Sequence, residues 1–440
     1  MLFVRTFAWI AAGVLFRHAT ASGSGSAQEV LSTSLKPQIT TPFDLGDVSD
    51  RQHVREARFG FNISNRYRTH FTVKEALDDW CERNSVDGMI AFVAGDSRQP
   101  HNFEVLIKAK SSDKEFLDCL EFETDKESLL IQTSSTGGTS RCSSNNAKVQ
   151  IDIVIAVRPQ SLQFGGTGTR VSTRYLSIVI WPEVGFETYH MTLHSVYGDV
   201  ICHEISSFTA HSIHVSSDHG LITGNWSLPS FIAFSTIDGT IDLDLPPKRW
   251  SSGPRTKGSL WAQSFTGNIS IRMPFEEDKL SLRNSITNIN TQYGSVQASL
   301  VHGAVTNITA VFGTINATLL PHWAFYQWQG VQHNYITTSC SRCNTTLNVL
   351  TPIANYFYKI PPLFFTKSRH EVVIGELALY YPPEWAGTAE WNVEVGTANI
   401  SGEDYEVVED GLHGRIQRLP LGSDMYAGVG TGNLSLVMKA

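Results

Sequence analysis

The sequence predicts an all-β chain: a β-solenoid-like stack of short coils that turn at glycine, preceded by a strand-rich N-terminal region. Three observations predict it. First, seven segments place a glycine in the same surroundings: SVYGDVIC, SDHGLITG, TIDGTIDL, SFTGNISI, TQYGSVQA, AVFGTINA and TGNLSL. The glycines are Gly198, Gly220, Gly239, Gly267, Gly294, Gly313 and Gly432. Second, the residue two beyond each is aliphatic: Val200, Ile222, Ile241, Ile269, Val296, Ile315 and Leu434. The strand that follows the turn therefore alternates inward and outward with period two. Third, five of the seven carry Ser or Thr three residues ahead, at Ser195, Ser217, Thr236, Ser264 and Thr291. The first six glycines are 22, 19, 28, 27 and 19 residues apart. Propeller blades need roughly 40 residues, so coils fit better, with a series of Gly-turn hairpins as the alternative.

The elements follow in order. Residues 1–21 read as a signal peptide: Arg5, an apolar core Phe7–Phe16, then Ala19-Thr20-Ala21 as a small-x-small cleavage site. Ten apolar residues are too few for a spanning helix, which needs about 20; an uncleaved membrane anchor is the alternative. Residues 22–55 read as a linker. Within the N-terminal β-rich region, 56–186, Val73, Ala76, Leu77 and Trp80 have helical spacing. From about residue 86, short β-branched runs such as MIAFVA, FEVLIKA and VQIDIVIAV alternate with turn clusters. Residues 187–320 hold the repeats. Residues 321–372 are aromatic and Pro-containing and carry Cys340 and Cys343; they read as an elaborated loop or cap over one edge. Closing coils, 373–440, resume at Gly375 with Leu377 and Leu379.

Eight N-x-S/T acceptors stand at Asn62, Asn225, Asn268, Asn307, Asn316, Asn344, Asn399 and Asn433. Asn225, Asn268, Asn316 and Asn433 lie five, one, three and one residues after their glycines. All four offsets are odd, so all four point outward if the even positions form the core. The six cysteines are an even set and, after a signal peptide, read as disulfides. Cys340 and Cys343 are expected to bridge each other; pairing among Cys81, Cys119, Cys142 and Cys202 stays open.

The repeats resemble the putative adhesin family of bacterial and fungal surface proteins, whose members stack Ser/Thr-x-x-Gly-polar-aliphatic rungs. The resemblance covers roughly residues 86–440. It implies a solenoid-like fold, a secreted or cell-surface setting and contact with glycans or proteins; it implies no catalytic residues and no cofactor.

The common catalytic and ligand-binding motifs fail one by one. The net charge is −8 and no basic run is interleaved with aromatics, which excludes nonspecific nucleic-acid binding. A zinc protease needs H-E-x-x-H, but His203-Glu204 is followed by Ser207 and His370-Glu371 by Ile374. No G-x-S-x-G elbow occurs. GGTGTR lacks the Lys of a phosphate loop and reads as a turn. The histidines His190, His194, His203, His211, His214 and His219 match no metal spacing and read as exposed side chains on alternating strands. Asp238, Asp242 and Asp244 share one coil, yet the next offers Asn268, Ser270 and Arg272, not the facing acid that glycoside cleavage needs. The expectation is therefore a secreted or cell-surface protein that presents its surface to glycans or proteins. A carbohydrate-active solenoid enzyme and a structural wall component are the alternatives. The contact residues expected are Trp323, Tyr326 and Trp328.

Overall fold

The structure is a computed structural model. It describes residues 53–439 except 64–69, 78–84, 135–147, 160–167, 186, 204–208, 229, 247–257, 276–284, 322–333, 353–362, 364–365, 403–405, 408–410 and 419–421. The signal-peptide and most of the linker segment, Cys81, Cys142, Trp323, Tyr326 and Trp328 lie outside the described residues.

The elements begin with β1 (His53–Phe61), β2 (His70–Ala76), β3 (Ser85–Ala94), β4 (Phe103–Ser111) and the short helix α1 (Lys114–Cys119). Then come β5 (Leu120–Thr124), β6 (Ser128–Thr133), β7 (Lys148–Val157), β8 (Gly168–Thr173) and β9 (Ser177–Ile180). Five strand pairs come next. They are β10 (Glu187–Ser195) with β11 (Val200–Cys202), and β12 (Thr209–Ser217) with β13 (Ile222–Asn225). After them are β14 (Phe231–Thr236) with β15 (Ile241–Asp244), β16 (Ser259–Ser264) with β17 (Ile269–Arg272), and β18 (Ile286–Tyr293) with β19 (Val296–His302). The last elements are β20 (Val305–Pro321), β21 (Asn334–Val349), β22 (Thr366–Tyr381), β23 (Gly387–Gly402), β24 (Glu406–Val407), β25 (His413–Arg418) and β26 (Ser423–Met438).

These strands build a nearly all-β, open solenoid in which each rung adds one strand to each of two parallel sheets. The first sheet runs β2–β8–β10–β12–β14–β16–β18 and on through the leading halves of the long strands. The second runs β3–β9–β11–β13–β15–β17–β19 and through their trailing halves. In the long strands both sheets are one continuous chain that bends at Gly313, Gly375, Gly396 or Gly432. Gly313 has φ +132°, a conformation that L side chains rarely adopt. Inward residues of the two sheets meet in one core: Leu193, Val215 and Phe234 from the first, Ile222, Ile241, Ile269 and Val296 from the second. Each such burial contributes about 1.5–3 kcal/mol.

The parallel stack begins earlier than the repeats suggest, at β2 and β3, inside the region read as a separate N-terminal unit. The helical spacing from Val73 to Trp80 admits a short helix, but its described start lies in strand β2, which runs to Ala76. Phe71, Val73 and Glu75 are buried with period two, and Val73 pairs with Val171 on the next rung; cross-strand pairing overrides a local helical spacing. Gly168–Arg170, read as a turn, opens strand β8. Within the segment 321–372, read as a loop or cap, the described residues 334–349 form β21, a complete rung between β20 and β22 that carries Cys340 and Cys343.

Both ends carry antiparallel strands. At the start, β5 lies antiparallel on β6, while β4 pairs antiparallel with β7 and β1 with β4. At the other end, β26 runs parallel between β22 and β23, and β25 lies antiparallel on β23. Such strands cover open edges that would otherwise template further pairing. The interior of the late rungs turns polar. His370 is fully buried, with Nδ1 2.9 Å from Thr338 Oγ1 and Nε2 2.9 Å from the Tyr381 hydroxyl, which donates to Ser368 Oγ at 3.0 Å. Burial alone lowers the pKa of His370 to about 3 and of His302 to about 4.

Candidate contact surface

The turn that joins the sheets explains the Ser/Thr-x-x-Gly pattern. All five hydroxyls are buried, and four of them accept the backbone N–H of their own glycine, while the Gly294 N–H goes to the Phe312 carbonyl instead. The distances are 2.8 Å for Ser195 with Gly198, 2.9 Å for Ser217 with Gly220, 2.8 Å for Thr236 with Gly239 and 2.7 Å for Ser264 with Gly267. The same hydroxyl donates to the previous rung: Ser217 to Gly198 O, Ser264 to Gly239 O and Thr291 to Gly267 O, at 2.9, 3.2 and 3.1 Å. The glycines stack so closely that a Cβ on Gly267 would run into the carbonyl oxygen of Gly239. At the start of the column Glu75 replaces the missing carbonyl. Its Oε2 accepts from Thr173 Oγ1 and from the N–H groups of Arg174 and Tyr175, at 2.7, 2.7 and 3.0 Å.

Further along, register places Ala310 and Cys340 in the Ser/Thr column and Gly313 and Cys343 in the glycine column. Cys340 and Cys343 are disulfide-bonded, with Cα atoms 6.0 Å apart. A covalent link thus spans the two positions that a hydrogen bond joins elsewhere. Cys119 is disulfide-bonded too. Cys202 departs from the all-disulfide expectation: it is a free thiol packed in the second sheet's core column, and burial pushes its pKa well up.

Three outward surfaces result. The first is the ridge formed by the residue ahead of each turn. Tyr175 stacks on Tyr197 at 5.7 Å, Tyr197 on His219 at 5.3 Å, and Tyr293 on Phe312 at 5.1 Å. Rings that stack on one another spend their flat faces internally, so this ridge offers edges. Asp238 interrupts it, held by His219 at 3.0 Å and by the Thr266 hydroxyl at 2.7 Å.

The second surface is the outer face of the second sheet. Six of the eight acceptor asparagines are here. Asn268, Asn344 and Asn433 occupy the first outward position after the turn, Asn316 and Asn399 the second, and Asn225 the third. None is buried. The carboxylates considered for glycan cleavage are also here. Asp244 forms an ion pair with Arg272 at 2.8 Å, and Asp242 pairs with Ser270 on the next rung. Cross-rung partners take up Asp244, and no second acid faces it from the next rung.

The third surface is the outer face of the first sheet. Its middle column runs Thr72, Arg170, Thr192, His214, Ala233, Trp261, Asn288, Asn307 and Thr337. Trp261 is 52% exposed beside the small Ala233, with Gln263 on its own strand. Asn307 is the one acceptor on this face, and its Nδ2 donates to Asn288 Oδ1 at 2.9 Å. Asn62 lies apart, after β1, and its Oδ1 accepts the N–H of Asn102 at 3.1 Å.

The histidines separate among these surfaces. His190, His194 and His214 face outward on the first sheet. His203 stacks on Trp181, His211 on Tyr189 and His219 on Tyr197. Among the described residues no three His, Cys, Asp or Glu converge on a metal position, and no helix is long and apolar enough to cross a membrane. Sequence reading missed Glu75 and Trp261. Glu75 carries no repeat signal, and Trp261 is outward by a register that only strand pairing reveals.

The fold and surfaces define a parallel β-solenoid with antiparallel ends and chemically distinct faces. No protein-family model and no curated protein matches the chain. Two solved structures are similar to it. One is a putative cell adhesion protein from Clostridium sporogenes, 10% identical, with 88% of this chain and 100% of that one covered and a TM-score of 0.16. The other is a putative adhesin from Bacteroides fragilis, 9% identical, with 88% and 97% covered and a TM-score of 0.26. Likeness at that level carries no functional argument; the chemistry of the faces has to carry it.

Proposed function

We propose that the protein is an exported glycoprotein, secreted or held at the cell surface, that acts by adhesion: it presents the outer face of its first sheet to glycans or proteins. One observation carries the reading. Six acceptor asparagines share the outer face of the second sheet, and the first-sheet face bears only Asn307, whose amide nitrogen is engaged by Asn288. Attached glycans would shroud one face and leave the other open. A rigid array of rungs suits repeated weak contacts, whose avidity exceeds that of any single contact. Trp261 supplies a broad apolar ring for a sugar or an aliphatic side chain.

The test is binding of the secreted protein to glycan and cell-surface arrays, wild type against Trp261→Ala. The variant should keep the wild-type melting temperature, because the ring is exposed, and lose tenfold or more in apparent affinity. A second arm replaces Trp323, Tyr326 and Trp328 together by Ala. Undiminished binding in a folded Trp261→Ala protein would move the contact off this face. Shortening of a polysaccharide on incubation would replace adhesion by catalysis.

A further inference from the structure

We infer that the first-sheet face carries, across β2, β8 and β10, a groove that binds the acidic groups of a carboxylated or sulfated polysaccharide once its histidines are protonated. The location rests on the reading of this face as the contact surface; the chemistry stands on separate residues.

The groove has a volume of about 220 Å³ and is lined by His70, Thr72, Thr169, Arg170, His190 and Thr192. Gly168 lies between the two histidines in register, pairing with His70 on one side and His190 on the other. The His70 ring lies over Gly168, in the space a Cβ would take. One rung on, His214 stands beside Thr192 and Ser212 beside His190, and the His190 Nδ1 makes a hydrogen bond with Ser212 Oγ. His194 Nδ1 is 2.9 Å from Ser216 Oγ. His211 stacks on Tyr189 at 4.7 Å.

The groups around His190 are basic. Lys74 comes from β2, Arg170 from β8, His194 from β10, and His211 and His214 from β12. The described outward side chains of β14 are Phe231, Ala233 and Ser235, none charged. The described carboxylates nearest in register are Glu75 on β2, buried and taken up by Thr173 and the N–H groups after it, and Glu127, whose backbone oxygen accepts the Thr72 N–H; Glu121 and Glu123 on β5 lie beyond β6. Burial first, then His211, His70 and His214, hold the pKa of His190 down. Those imidazoles are therefore close enough to repel one another when charged.

That repulsion is what an anion relieves. Imidazoles gain protons between about pH 7 and pH 5. A carboxylate or sulfate seated among them stabilises the charged forms, so binding takes up protons and tightens as pH falls. The sign separates this site from a metal site. Metal ions need neutral imidazole and bind more tightly as pH rises. On a chain of net charge −8, such a patch gives acidic polymers a local attraction that the overall charge opposes.

The experiment measures binding of the full secreted protein to polygalacturonate, dextran sulfate and uncharged dextran at pH 7.5 and pH 5.0. Both acidic polymers should bind at least tenfold more tightly at pH 5.0, with affinity falling as salt rises, and dextran should show no such change. The double variant His70→Gln with His190→Gln should lose the pH dependence, while Trp261→Ala keeps it. Loss of neutral-glycan binding in Trp261→Ala with the acidic response intact would separate the two readings. Should the double variant fail to fold, proton titration by NMR of wild-type imidazoles, with and without polygalacturonate, decides. Upward movement of their pKa values supports the site. Equal acidic-polymer binding at both pH values, unmoved pKa values, or acidic binding that survives in a folded double variant would overturn it.

Discussion

At the scale of single residues, one offset from the turn decides whether a side chain is structural or displayed. Ile241 and Ile269 are at most 1% exposed, whereas Thr240 is exposed and Ser270 half-buried. Replacing Ile241 with Asp strands a charge in the core, which costs several kcal/mol. Thr240→Asp stays within about 0.5 kcal/mol of wild type, as surface changes do. Chemical denaturation of the two variants checks this, and equal midpoints would contradict the register. Turn glycines and their hydroxyl partners were legible because the same hydrogen bond recurs at one offset. Glu75 was not, because it ends the column once, with Leu176 where the glycine would be. Trp261 was hidden for another reason: facing is set by which strands pair, and adjacent residues in a sequence do not state that.

At the scale of the element, the rungs of the second half show what repetition can and cannot reveal. Gly375 kept its place after a long interruption and was recognised. Rung β21 was not, since Cys340 and Cys343 stand where Ser/Thr and Gly stand in its neighbours. That equivalence predicts an unequal response to losing the disulfide. Cys340→Ser with Cys343→Gly restores a hydroxyl that can take the backbone N–H three residues on. Cys340→Ala with Cys343→Ala offers no hydroxyl there. The first pair should therefore be more stable than the second by about 1 kcal/mol, the net contribution of one hydrogen bond. Thermal melts under matched conditions measure the difference; equal melts would detach the bridge from the turn column. Insertion of β26 between β22 and β23 was illegible for a similar reason. The intervening chain leaves and returns, and no local pattern records which parallel neighbour a strand joins.

At the scale of the whole molecule, the stack should be acid-sensitive in its late rungs. His370 and His302 titrate near 3 and 4 when folded, against about 6.5 when exposed. Above pH 6.5 both are neutral in either state, and their contribution is constant. As pH falls from 6.5 toward 4, the unfolded chain binds protons that the folded one refuses, so stability drops. Each histidine contributes a slope of about 1.4 kcal/mol per pH unit. Denaturation midpoints between pH 7 and 4.5 should fall, and His370→Gln should flatten that fall relative to its own pH 7 value.

The proposal that the first-sheet face makes the contact while the second carries the glycans stands or falls on Ala233→Asn. Asn followed by Phe234 and Ser235 is an N-x-S acceptor, created by one substitution beside Trp261 on the open face. Mass analysis would establish that the new site is occupied, and binding to the array ligands would then be compared with wild type and with Asn268→Gln. A glycan at position 233 should abolish binding, while removal of the acceptor at Asn268 should leave it intact. Full binding by the glycosylated Ala233→Asn protein would contradict the division of the two faces.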